Sequence, residues 1–121
     1  MATALIIAVA VFFAGMGLVA LARPERVLAF FGTPSLSRDG RNEVRAVYGG
    51  FGLAVAGLLL VALEQPGLRP GVLLTVALAL AGMAAGRLIS ALIDGLPGFY
   101  PCLFFAVELA LAAALVVAGK A

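Results

Sequence analysis

Four stretches of about twenty residues, almost free of charged side chains, limit what this chain can fold into. They cover 4–22, 44–63, 72–93 and 101–119. A bilayer hydrocarbon core of roughly 30 Å is crossed by about 20 apolar residues when each rises about 1.5 Å along a helix. A backbone surrounded by lipid must satisfy its hydrogen bonds internally, and a helix does this residue by residue. With 64% of the 121 residues hydrophobic and only 12% charged, too few polar side chains remain to cover a water-soluble core. The expectation is an all-α, polytopic membrane protein. It is a single domain over 1–121, a four-transmembrane-helix bundle whose first partner is the lipid bilayer.

Composition removes several function classes. The basic residues are scattered, with no basic run interleaved with aromatics, so the net charge of +2 points to membrane topology and to no nucleic-acid partner. Histidine is missing and Cys102 is the sole cysteine, which excludes an intrachain disulfide and leaves no metal or haem site of the usual ligand types. Neither a glycine-rich phosphate loop nor a serine nucleophile elbow occurs. No cofactor is expected. The first stretch ends in a small-x-small pattern, Ala20 and Ala22, before Arg23. Its apolar run is too long for a signal core and no basic residue precedes it, so it is read as a retained span.

The connections add detail. Arg23-Pro24-Glu25-Arg26, then Val27 to Phe31 and Gly32, combine proline at a first turn, an acid near the start and a glycine at the stop. That pattern predicts a short helix between the first two spans. Phe30 and Phe31 would place it in the interfacial layer. The 23–42 connection then closes with Asn42 as N-cap and Glu43 against the positive end of the second span. Proline and glycine at Pro66, Gly67, Pro70 and Gly71, and again at Pro97 and Gly98, mark two tight turns. Arg23, Arg26, Arg38, Arg41 and Arg45 all lie on or beside the 23–42 connection, against Arg69 and Lys120 at the opposite ends of the spans. The positive-inside rule makes that connection cytoplasmic and puts both termini outside.

Ionisable side chains within spans cost several kcal/mol and need a partner or a purpose. Here they gather in the cytoplasmic half: Arg45 about one turn in, Tyr48 slightly deeper, Asp94 at the boundary, and Arg87 and Glu108 each roughly 10 Å deep. Residues three, four or seven apart share a helix face. Arg45, Tyr48, Gly49 and Gly52 therefore share one, as do Arg87, Ser90, Ala91 and Asp94, and Phe105, Glu108 and Ala112. The short turn between the third and fourth spans brings Arg87 opposite Glu108. Small residues at Ala10, Ala14 and Gly17, at Gly50, Ala54 and Gly57, and at Gly82, Gly86 and Ser90 are read as packing positions inside the bundle. The Gly82 and Gly86 pair also suits a homo-oligomer.

Each polar residue has a structural explanation beside a functional one. Arg87 and Glu108 could be a mutually neutralised pair that sets helix register. Glu43 suits the helix dipole, Asp94 a helix end, and Arg45 a reach to phosphate headgroups. The convergence of so many on one depth favours a site.

The runs Asn42-Glu43-Val44-Arg45-Ala46-Val47-Tyr48-Gly49-Gly50, Gly86-Arg87-Leu88-Ile89-Ser90 with Asp94-Gly95, and Glu108-Leu109 resemble a family of small bacterial four-helix membrane proteins known as domain of unknown function 4345. The likeness covers nearly the whole chain. It implies four membrane helices and a multi-pass place in the bacterial inner (cytoplasmic) membrane, and it implies no activity. The leading expectation is a pocket lined by Arg45, Tyr48, Arg87, Ser90, Asp94 and Glu108 that binds a small amphipathic or anionic ligand. In an enzymatic version Glu108 or Asp94 is the acid or base and Tyr48 polarises a substrate oxygen. The alternatives are a proton- or ion-coupled transporter acting as an oligomer, and an assembly subunit of a membrane complex. Transport is disfavoured because 54–63 and 72–82 offer only Thr75 as a polar side chain.

Overall fold

The computed structural model describes residues 1–121 and is helical almost throughout. Five helices follow one another: α1 (Ala2–Ala22), α2 (Pro24–Ala29), α3 (Arg38–Glu64), α4 (Arg69–Asp94) and α5 (Phe99–Lys120). All except α2 are long and apolar enough to cross a membrane, as in a multi-pass membrane protein. Only 24 of the 121 residues are buried, and the outward faces carry Val11, Leu18, Leu74, Leu78 and Val117. Such a surface would be unstable in water and matches a hydrocarbon solvent.

α4 and α5 pack along their lengths as an antiparallel hairpin, and α1 packs along α3. α1 also touches α5, while α3 and α4 meet far less closely. The core takes one fully buried side chain from each long helix: Ile6, Leu59, Leu80 and Leu115. A smaller cluster of Ala20, Val27 and Val44 pins α2 against the end of α1 and the start of α3.

α1 and α3 approach to backbone contact. A Cβ on Gly17 would lie 2.9 Å from the Gly49 carbonyl oxygen, and one on Gly52 would lie 3.1 Å from that of Phe13. Lipid provides no hydrophobic drive between helices, so close backbone contact of this kind supplies the attraction. The expected packing positions are therefore corrected. Gly17 does lie in an interface, but a Cβ placed on Gly57, Gly82 or Gly86 would meet nothing within 4 Å, so these three face outward. The reason is that four-residue spacing defines a face without saying which neighbour it meets. In α4 the inward face is built by Val72, Val76, Leu80 and Ala84.

Helix boundaries also shift. α3 begins at Arg38, well ahead of the apolar run at 44, and Ser37 is its N-cap in place of Asn42. The Ser37 Oγ accepts the Gly40 N–H at 3.0 Å, and Arg41 Nη1 donates to the Leu36 carbonyl at 2.9 Å. Local capping thus carries the helix beyond its apolar part. At the other end Arg69 donates from Nε to the Ala62 carbonyl and from Nη2 to that of Leu63, closing carbonyls that the end of α3 would otherwise leave open. α2 starts at Pro24 as the proline implied and ends at Ala29, with the chain turning through Gly32 at a φ of 81°.

Because Gly17 and Gly57 differ so sharply in surroundings, their alanine variants should part. Gly17→Ala is expected to lose about 1–3 kcal/mol by overpacking, and Gly57→Ala to be neutral or to gain up to about 1 kcal/mol from helix propensity. Reversible unfolding in detergent measures both.

Candidate functional site

The middle of the 38–64 helix is not α-helical. Residues Arg45–Gly50 form a π-helical turn in which the Phe51 N–H reaches the Ala46 carbonyl, five residues back. A π turn accommodates an additional residue per turn and often marks a functional position. Here it changes which side chains share a face. In a regular helix Arg45 and Tyr48, three apart, would point together; in the wider turn they separate. The Arg45 Nε donates to the Leu21 carbonyl at 3.0 Å, satisfying the end of α1. Tyr48 turns inward instead.

Arg87 on α4 and Glu108 on α5 form a two-point ion pair. Nε donates to Oε1 at 2.8 Å and Nη2 to Oε2 at 3.0 Å. Glu108 is the only buried ionisable residue, at 2% exposure, whereas the Arg87 side chain keeps 26%. Parallel double hydrogen bonding of this type is the strongest arrangement open to the two groups. The guanidinium also lies against two aromatic rings, with Cζ 5.5 Å from the Phe31 centroid and 5.8 Å from that of Phe104, a cation–π geometry. Phe30 stacks on Tyr100 at 4.8 Å, and Phe31 on Phe104 at 5.5 Å. These contacts hold the turn after α2 over the start of α5.

Beside the ion pair lies a cavity of about 460 Å³. α1 contributes Phe12, Phe13 and Met16; the α2 region contributes Val27, Phe30 and Phe31; α3 gives Ala46, Val47, Tyr48, Phe51 and Gly52. Leu80, Met83 and Arg87 come from one face of α4, and Phe104 and Glu108 from one face of α5. Thirteen of the sixteen lining residues are hydrophobic, so the polar chemistry is confined to Arg87, Glu108 and the Tyr48 hydroxyl. The cavity is partly open, and Val47, Phe51 and Met83 on its rim are about half exposed.

Of the six side chains that the sequence grouped together, the structure brings Tyr48, Arg87 and Glu108 to one cavity. Arg45, Ser90 and Asp94 lie elsewhere. Arg45 is exposed and donates to the Leu21 carbonyl. Ser90 and Asp94 are exposed on the last turns of α4, where Leu92 and Ile93 have no packing partner either. Asp94 is the final helical residue, followed by Gly95 at a φ of 91°. Glu43 is exposed and does not line the cavity. The aromatic wall of Phe12, Phe30, Phe31 and Phe104 is not marked as a site by residue type, since phenylalanines in a membrane chain are ordinarily core or lipid-facing. The signal was the Phe30-Phe31 pair at the end of a short helix, which pointed equally well to a headgroup layer.

A family model described as Domain of unknown function (DUF4345) matches residues 1–118. No curated protein and no solved structure matches the chain.

Removing one member of the pair should be worse than removing both. Arg87→Met and Glu108→Leu are each expected to destabilise by about 3–5 kcal/mol, because each strands a charge in an apolar setting. The double variant Arg87→Met, Glu108→Leu should lose distinctly less. A double-mutant cycle of unfolding free energies in detergent reads the difference.

Proposed function

The chain belongs to the DUF4345 family, and we propose that it binds a small amphipathic molecule in the cavity beside Arg87 and Glu108. The observation that supports this is an apolar cavity of about 460 Å³ with one ion pair and one tyrosine in its wall. Ligand sites have this character, with volumes of about 300–1,000 Å³ and few polar groups to orient the occupant. A pair serving only to register two helices would be enclosed by packing, whereas Arg87 keeps a face on open space. The partly exposed rim between α3 and α4 offers a way in from the surrounding lipid. With five arginines on or beside the 23–42 segment, this half of the bundle faces the cytoplasm of the bacterial inner membrane and the occupant comes from the inner leaflet.

Binding fits the geometry better than catalysis. Both Glu108 oxygens already accept from Arg87, so proton transfer to a substrate would first require the pair to open. Binding from one side also fits better than conduction. The opposite half of the bundle is closed by the layer of Ile6, Leu59 and Leu115, with no polar lining.

Native mass spectrometry of the detergent-purified protein tests the proposal. The wild type should retain a small molecule of defined mass. Ala46→Phe, a substitution at an exposed position on the cavity wall, should release it while changing stability by about 0.5 kcal/mol or less. A bare wild-type protein, or equal retention by the variant, would count against a site here.

A further inference from the structure

The charge state of the cavity narrows what its occupant can be. Among the lining residues only Arg87 and Glu108 carry formal charge, and their two-point contact cancels it. Arg45, the other cation expected near the site, is committed to the Leu21 carbonyl. No uncompensated positive charge therefore faces the cavity. An anionic head entering it would lose its water and gain no net counter-charge, which disfavours burial.

Hydrogen-bond donors nevertheless remain. A guanidinium carries five N–H groups. Glu108 accepts from two of them, and no other protein oxygen takes the rest. Tyr48 lines the same cavity and adds a phenol to its wall. The cavity thus presents donors without net charge, set in an aromatic and aliphatic surround. The complement is an apolar molecule bearing an uncharged oxygen acceptor.

We infer, building on the binding proposal above, that the occupant is a neutral amphiphile whose carbonyl, ester or ether oxygen is held by the free N–H groups of Arg87. Glu108 acts in this arrangement as a positioning residue. It aims the guanidinium and removes its charge, and it makes no contact with the ligand. The site then discriminates against fatty-acid-like anions even though it contains an arginine. A charge filter of this kind works by leaving the anion unpaired in a dry setting.

Three probes of equal chain length separate the possibilities: decane, decanoate and methyl decanoate. Each is titrated into wild-type protein in phosphatidylcholine nanodiscs at a pH where decanoate is ionised, with empty nanodiscs as the partition control. Occupancy is read by native mass spectrometry. Methyl decanoate should bind about tenfold more tightly than either of the others, the increment of one hydrogen bond to a charged donor. In Glu108→Gln the guanidinium charge is no longer cancelled and decanoate should overtake the ester. In Arg87→Gln the ester should lose its advantage over decane.

Tightest binding of decanoate by the wild type would overturn the inference while leaving the binding proposal standing. So would equal binding of ester and decane, or an unchanged order in Glu108→Gln. Retention of none of the three above the empty-disc control would overturn the binding proposal and this inference with it. If a variant fails to fold, the wild-type ranking decides by itself.

Discussion

A guanidinium and a carboxylate placed in an apolar bundle have no water to turn to, so each must find the other or be excluded. Arg87 and Glu108 meet because α4 and α5 are joined by a short turn and run back along each other. Their two hydrogen bonds fix the rotation of both helices at that level. Everything on those two faces follows. Leu80 and Met83 share the cavity face of α4 because they lie seven and four residues before Arg87, and Phe104 that of α5 because it lies four before Glu108.

The cavity results from two tight pairings that do not fit one another along their full length. α1 and α3 are drawn together by the backbone contact at Gly17, Gly49 and Gly52. α4 and α5 are held by side-chain packing and the ion pair. The pairs join through a core that includes Ile6, Leu59, Leu73 and Leu115, and towards the arginine-rich end they part. The gap is lined by phenylalanines that pack edge to face or at a tilt, and large rigid rings bridge such a space without filling it. The Phe30 and Phe31 turn covers one side, held by Tyr100 and Phe104.

The π turn links fold to site. A regular helix through Arg45–Gly50 would have set Arg45 and Tyr48 closer to one face. The widened turn gives each residue its own task, with Arg45 satisfying the end of α1 and Tyr48 entering the wall. Gly49 and Gly50, which have no side chains to crowd the turn, stand where it closes. That division sets the electrostatic character of the cavity as much as the ion pair does.

Hydropathy determined the number of spans and their approximate limits, because a bilayer of fixed thickness needs uninterrupted apolar runs and only four exist. The short helix after α1 was equally legible from Pro24 and Gly32, since both residues restrict the backbone locally. Arg87 and Glu108 could be paired from sequence because a short turn and helical rise put them at one depth. Local signals failed where a partner on another helix decided the outcome. Helix rotation turned Gly82 and Gly86 outward, and the Leu21 carbonyl captured Arg45. Ser90 and Asp94 fell on an exposed face of the last turns of α4. Spacing along one helix defines faces, but which face looks inward depends on backbone contacts and side-chain volumes contributed by the others, and those exist only once the helices have packed.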